Sequence, residues 1–359
     1  MTSTPGDLRD RERRLDAVLA SLSLDAAVIT GVGTVGGHAE LSWLTGHVPD
    51  HRGAWALRVV GEATTLVIPD GGPEPTDDES SSIRSPEDGR CPQAQIAAAL
   101  LDGARIGVAG TGSTIASSFP AVVLDIGAHL AGLAREVSPT TATALREHAE
   151  VVRRALAATA TVLVPGVNEL DIAAATASEL ARGGSVLQII HASVDRFHAQ
   201  RPSARRVAPG SIVTIFAESA PAVGGWVEGG IVVPVDGADT AAQRMIEALD
   251  AALRAGIAAA RPGRTLGEVA TTMAQHLRDV GEPTIGWGHS TGSDQGPLVV
   301  RHDSVETIRA GDALCLHPSV RAADGRSAGV ATTVLIGTDT TEDLIPAAVR
   351  DAIRATARA

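Results

Sequence analysis

Two stretches of the chain hold the side chains best suited to chemistry. The first runs Phe197-His198-Ala199-Gln200-Arg201-Pro202 and continues through Phe216, Glu218 and Trp226 to Glu228. The second is Gly286-Trp287-Gly288-His289-Ser290-Thr291-Gly292, with Arg301 and His317 beyond it. Histidine is the side chain best matched to taking and returning a proton near neutral pH. His198 is placed to take a proton from water as the water attacks an sp² carbon, and then to return it to a leaving nitrogen. Glu228 would hold a cationic or N–H-bearing part of a small-molecule substrate. His289 and His317 would donate hydrogen bonds to developing negative charge. Arg301 suits a substrate carboxylate, which it can grip through two parallel bonds. Glu218, Phe216 and Trp226 would line the same place. Each residue also has a purely structural role open to it. His198 fits a polar loop, Glu228 a solvated strand, His317 a satisfied histidine among Leu314, Cys315 and Leu316, and Arg301 a surface ion pair. His191 and His302 lie in the same neighbourhoods as weaker candidates.

These stretches belong to an internal repeat. Pro165-Gly166-Val167-Asn168-Glu169-Leu170 opens an alanine-rich run that ends at Gly184; Pro262-Gly263-Arg264-Thr265-Leu266 opens a similar run ending at Gly281. Downstream, Val207 to Phe216 matches Ile308 to His317, and Val227 to Val233 matches Val330 to Ile336. Each half is therefore a helix, a Pro-Gly turn, a second helix and then strands. Two such units, packed through their apolar faces, give a cleft to which the halves contribute unlike residues.

Composition narrows the classes of function. At 359 residues the chain is long for one core, so two domains are expected, at 1–138 and 139–359. A formal charge of −12 argues against a nucleic-acid partner. No apolar run reaches membrane-spanning length, and no signal peptide precedes the charged Leu8–Arg14, so a cytoplasmic protein without a membrane partner is expected. All 30 basic residues are Arg, and Tyr is absent, which removes Schiff-base lysine chemistry and a tyrosine acid. Cys91 and Cys315 sit in unrelated contexts and indicate neither a disulfide framework nor a thiolate metal site.

Ahead of the repeat, the spacing of Leu8, Leu15, Val18, Leu19 and Leu22 predicts a helix over 8–23, followed by a buried strand over 24–30. Gly31, Gly33, Gly36 and Gly37 suggest a phosphate loop, but their spacing is wrong for one and no Lys is present. A hairpin split by Gly61 is expected from Trp55–Val60 and Thr64–Ile68. An exposed loop is expected over 71–90, then a helix near 93–102, a strand at 105–108, a helix near 115–131 and a short strand at 134–137. Ser138-Pro139 reads as a linker before a long helix that starts near Thr143.

Over nearly its whole length the chain resembles the creatinase/aminopeptidase P/prolidase family, whose M24-like catalytic domain is called the pita-bread fold. The resemblance rests on Leu41-Ser42-Trp43-Leu44-Thr45-Gly46, Val164-Pro165-Gly166, Arg261-Pro262-Gly263, Gly288-His289-Ser290-Thr291-Gly292 and Thr333-Val334-Leu335-Ile336. It implies an α/β fold in two parts: an N-terminal creatinase-like domain, then a pita-bread domain built on the pseudo-twofold repeat. The family's metallopeptidases hold two metal ions with two Asp, one His and two Glu. Those positions fall here at or beside Phe216, near Trp226 or Val227, and on His289, His317 and Ala331. At most two of the five can ligate, so no bound metal and no cofactor are expected.

The metal-free creatinase branch fits better. It carries a catalytic His before the first of those strands, where His198 falls, and a Glu before the second, where Glu228 falls. Where creatinase keeps a second Glu to grip a guanidinium, this chain has His317, so creatine itself is an improbable substrate. The resemblance thus implies a metal-independent hydrolase or lyase acting on a C–N bond of a small polar molecule. A metal-dependent peptidase or amidase rebuilt around one ion on His289, His317 and a Glu is the second reading, and a non-catalytic binding protein the third. A homodimer is also implied, with residues His47 to Arg52 near the partner's site.

Overall fold

The structure is a computed structural model that describes residues 5–49, 53–68, 82–84, 104–110, 122–196, 201–221 and 225–357. Its contacts divide into two compact units. One comprises Met1–Thr141 with Ala222–Gly225 and Gly292–Gly296; the other comprises Ala142–Pro221, Trp226–Thr291 and Pro297–Ala359. Among the described residues no helix is long and apolar enough to cross a membrane.

The first unit runs α1 (Pro5–Ser21), β1 (Ala26–Gly31), α2 (Ala39–Thr45), β2 (Ala54–Val59), β3 (Thr65–Val67), β4 (Ser82–Arg84), β5 (Arg105–Gly110), β6 (Val122–Asp125) and α3 (Gly127–Ala134). The strands form one mixed sheet in the order β4-β3-β2-β1-β5-β6. Strand β1 lies at its centre because it is apolar on both faces. Ala27 and Ile29 pack with Leu15 and Leu19 of α1 and Leu41 and Leu44 of α2, while Ala26 and Val28 turn to Ile106 on the other side. The hairpin around Gly61 is present, with Trp55 opposite Val67.

The glycine-rich turn after β1 does hold an anion, and that anion is internal. The backbone N–H groups of Gly36 and His38 each donate to the Asp294 carboxylate at 3.1 Å, and Gln295 N–H donates to it at 2.7 Å. The buried His38 ring meets Ser42 Oγ at 2.9 Å through Nδ1 and lies 3.5 Å from Asp294 through Nε2. The N–H groups of Gly36 and His38, spent on this carboxylate, are not available to a phosphate.

Two local expectations fail here. Residues 115–121 of the helix expected over 115–131 lie outside the described residues, and 122–131 are strand β6 followed by the start of α3. Val122, Val123 and Leu124, two of them β-branched, extend alongside β5, and the helix begins only after Asp125 Oδ1 accepts the Gly127 N–H at 2.8 Å. The strand expected at 134–137 is the end of α3 and a turn, and Ser138 Oγ then accepts the Thr141 N–H at 3.2 Å. Ser138 therefore caps the next helix and Pro139 opens it, as the missing proline N–H allows. The helix expected near 93–102, and the 71–90 loop apart from β4, lie outside the described residues.

The repeat follows: α4 (Pro139–Ala160), α5 (Glu169–Arg182), β7 (Ser185–Val194), β8 (Ile212–Pro221) and β9 (Val227–Pro234) in the first half. The second half has α6 (Thr240–Ala259), α7 (Leu266–Leu277), β10 (Glu282–Pro283), β11 (Gly288–Thr291), β12 (Val299–Val300), β13 (Ala313–Leu316), β14 (Ser319–Arg321), β15 (Ser327–Gly329), β16 (Ala331–Ile336), β17 (Thr341–Asp343) and α8 (Ala347–Thr356). The repeat extends to individual hydrogen bonds. Gly166 N–H donates to Val207 O as Gly263 N–H does to Ile308 O, and Gly210 N–H to Val235 O as Gly311 N–H does to Ile336 O. Asn168 caps α5 by accepting from Asp171 N–H, and Thr265 caps α7 by accepting from Glu268 N–H. Gly166 and Gly263 both sit at positive φ, 95° and 86°, which only glycine adopts without a Cβ clash.

Both halves feed one eight-stranded sheet, ordered β12-β11-β13-β16-β9-β8-β7 with β17 beside β16. Every pairing in it is antiparallel. Alternation along the strands separates two jobs. Leu314, Leu316, Val334 and Ile336 face Met245, Leu249 and Leu253 of α6 and Val269, Met273 and Leu277 of α7. Each of these fully buried side chains contributes about 1.5–3 kcal/mol. Their neighbours Cys315 and Thr333 must then point to the opposite face, and that face carries the polar residues.

Candidate active site

Strand register assembles the site. Glu218 stands directly opposite Glu228, Cys315 opposite Thr333, and His289 opposite Cys315. Directly paired residues share a face, so these side chains form one polar row across β8, β9, β16, β13 and β11. Thr333 Oγ1 ties the row together: it accepts from Glu228 N–H at 2.9 Å, donates to Glu228 O at 3.1 Å, and lies 3.4 Å from Cys315 Sγ. His191 and Glu218 form a second pair at 3.8 Å beyond Glu228.

At the centre of the row, Glu228 Oε2 is 3.4 Å from His289 Nε2. The Glu228 side chain is only 2% exposed and that of His289 17%. Nδ1 of His289 lies 3.0 Å from Ser290 O, so both ring nitrogens face acceptors. The His317 ring packs 5.4 Å from that of His289, tilted by 52°, and its Nδ1 is buried without a hydrogen-bond partner.

Burial works against the Glu228 carboxylate, but the charge of His317 and the hydrogen bond and charge of His289 outweigh it, so its carboxyl lies below the usual range. His317 is itself held below the ordinary imidazole value, first by burial and then by His289, against the pull of Glu228. The two directions compete for a single proton. With His317 neutral, the lasting partner of the ionised Glu228 is His289, in direct contact. Burial, reinforced by the charge of Glu228, pushes the Cys315 thiol well above its ordinary value.

A second row explains what has replaced acids. Phe216 stands opposite Gly230, and Gly230 opposite Ala331. Phe216 and Ala331 form a small apolar cluster with Ile285. The phenyl ring lies so close over Gly230 that a Cβ there would come within 2.7 Å of it. Positions where the resemblance implies carboxylates for two metal ions thus hold a ring and a methyl group in contact. Hard divalent ions need several oxygen ligands; this pair supplies none, so the residues present do not fit a dinuclear site.

The other sequence candidates are dispersed. Trp226 is fully buried, with Nε1 lacking a hydrogen-bond partner. Arg301 is exposed and paired to Asp303 at 2.8 Å, while His302 packs edge-on against Trp287. His198 lies outside the described residues. Sequence reasoning missed the part played by Cys315 and Thr333. Strict alternation from Leu314 and Leu316 was the signal that would have put Cys315 on the polar face.

The model of metallopeptidase family M24 matches residues 143–338, more than half of the chain. The chain belongs to this hydrolase family. No curated protein sequence matches it. Among solved structures it is similar to the prolidase from Pyrococcus horikoshii OT3, with a TM-score of 0.80 at 14% identity over 94% of this chain and 98% of that one. It is also similar to the dipeptidase PepE from Mycobacterium ulcerans (TM-score 0.75, 19% identity, 96% and 97% covered) and to proline aminopeptidase P II from Yersinia pestis (0.76, 16%, 99% and 99%). At these identities the likeness establishes the fold. The chain is an M24 protein of pita-bread fold, and its polar row occupies one face of the pita-bread sheet.

Proposed function

We propose that this M24 hydrolase works without metal, in the manner of creatinase, and cleaves a C–N bond (amide, amidine or cyclic amide) of a small polar molecule. The observation that carries the proposal is the buried Glu228–His289 pair beside the apolar contact of Phe216 with Ala331. The place keeps an ionised carboxylate and two imidazoles while giving up acids that hard ions need.

In this reading His198 takes the proton from the attacking water, a role carried over from the resemblance. His317, neutral and with Nδ1 unpartnered, donates to the oxygen on which negative charge develops. A neutral imidazole can do this without first giving up a charge. Glu228 receives the cationic or N–H-bearing part of the substrate, and His289, committed at both nitrogens, fixes the carboxylate's position. The proton taken by His198 leaves on the nitrogen of the departing amine. The test is turnover of a panel of small amidines, cyclic amides and N-acyl amino acids, followed by mass spectrometry with and without a chelator.

A further inference from the structure

The row that supports the proposed chemistry contains a thiol which that chemistry does not use, that of Cys315, fully buried between His289 and Thr333. One ligand atom from each of Glu228, His289 and Cys315 lies within 4.8 Å of the other two. The Glu228 Oε2 to His289 Nε2 distance of 3.4 Å already matches the separation of an oxygen and a nitrogen on one tetrahedral ion, about 3.4 Å for bonds of roughly 2.0–2.1 Å. A sulfur on the same ion would stand about 3.6 Å from the nitrogen, so the thiol has at most a little over an ångström to move. An independent sign points the same way. Glu228 Oε2 is buried, and its 3.4 Å contact with His289 Nε2 is longer than a strong hydrogen bond, which leaves carboxylate lone pairs for an ion. Nδ1 of His317, buried without a hydrogen-bond partner, belongs to the ring packed against His289.

We propose that Glu228, His289 and Cys315 form a single-ion site for a thiophilic divalent cation such as Zn²⁺. The donor set is carboxylate, imidazole and thiolate. It selects borderline and soft ions, whereas the hard-ion site of the family's peptidases would be all oxygen and one nitrogen. Binding is a proton exchange without redox change: the Cys315 S–H and His289 Nε2–H bonds break, both protons go to solvent, and the sulfur and nitrogen lone pairs form bonds to the ion. The ion supplies the charge that makes a thiolate favourable in a buried place next to a carboxylate. The inference rests on the same residues as the metal-free reading, and together they make Zn²⁺ an inhibitor, because the ion takes Glu228 and displaces the proton that His289 shares with it.

The experiment uses the full chain, stripped with a chelator and titrated with Co²⁺ while thiolate-to-cobalt charge-transfer absorption is recorded; Zn²⁺ is then added as competitor. One Co²⁺ per chain, a charge-transfer band and its removal by Zn²⁺ are expected. Cys315→Ser should abolish the band, Cys91→Ser should keep it, and His289→Ala should weaken Co²⁺ binding about 100-fold or more, beyond what loss of an outer-shell partner costs. Thermal unfolding in chelator confirms that each variant is folded. If Cys315→Ser is not, His289→Ala decides. The site is overturned if the folded wild-type chain shows no band, if the band follows Cys91, or if His289→Ala binds Co²⁺ as wild type does. Turnover that requires the ion would instead overturn the metal-free reading and leave the site standing.

Discussion

Glu228 and His289 come from opposite halves of the internal repeat and meet at 3.4 Å on one face of the sheet. Neither half could build the pair alone. The repeat supplies two equivalent scaffolds, and their divergence supplies a carboxylate on one and an imidazole on the other. The consequences below separate the roles of the residues around that pair.

Glu228→Gln keeps the side chain's shape and removes its charge. With a cationic substrate, KM should rise well beyond the fall in kcat, since the lost interaction exists in the ground state as well as the transition state. Steady-state kinetics on a confirmed substrate checks this; a fall in kcat at unchanged KM would move Glu228 from binding to chemistry.

His198→Ala should cost roughly 10²–10⁴-fold in kcat, the usual contribution of a general base, with binding largely kept. His317→Ala should cost roughly 10²–10³-fold, the range for removal of one donor to developing negative charge. Near-normal turnover of His198→Ala would transfer the base to the His289–His317 pair.

Phe216→Asp with Ala331→Glu puts carboxylates back where the phenyl–methyl contact now stands. In chelator the double variant should be destabilised by several kcal/mol, because the new charges are buried near Glu228 without partners. Added Mn²⁺ should raise its unfolding temperature and leave that of wild type unchanged. Equal shifts for the two proteins would mean that the apolar contact is not what keeps hard ions out.

His148, buried in α4, meets Ser219 Oγ through Nε2 at 2.8 Å, and burial lowers its pKa to about 4. Its folded value lies below the unfolded one of about 6.5, so between those values the unfolded chain binds the extra proton. Stability from this residue is therefore fully present above pH 6.5 and falls as pH drops toward 4, by roughly 3 kcal/mol at most. His148→Gln keeps a polar contact to Ser219 without titrating. Urea midpoints measured between pH 4 and 7 should show a shallower slope for the variant, and parallel slopes would contradict this.

Much of the fold was legible because the repeat writes the same turn chemistry twice. Pro165-Gly166 and Pro262-Gly263 need positive φ at the glycine, and the helix caps Asn168 and Thr265 follow at the same offset. Within the site, His289, His317 and Glu228 could be picked out by type. Their distances could not, since they depend on the pairing of β13 with β11 and of β9 with β16, which no local pattern specifies. Asp294 is the sharpest case. The glycine-rich turn read as a failed phosphate loop, and only the tertiary structure shows that a carboxylate more than 250 residues away fills it. The strand at Val122–Asp125, inside the helix expected over 115–131, is set by its parallel pairing with β5, which the local sequence does not announce.

The most direct measurement of the central claim is turnover by chelator-stripped protein on the panel of amidines, cyclic amides and N-acyl amino acids, with metal content determined on the same sample. The account expects at least one C–N bond to be hydrolysed at a rate that neither falls in EDTA nor rises with added Mn²⁺ or Co²⁺. Turnover that disappears with the chelator and returns only with Mn²⁺ or Co²⁺ would contradict it.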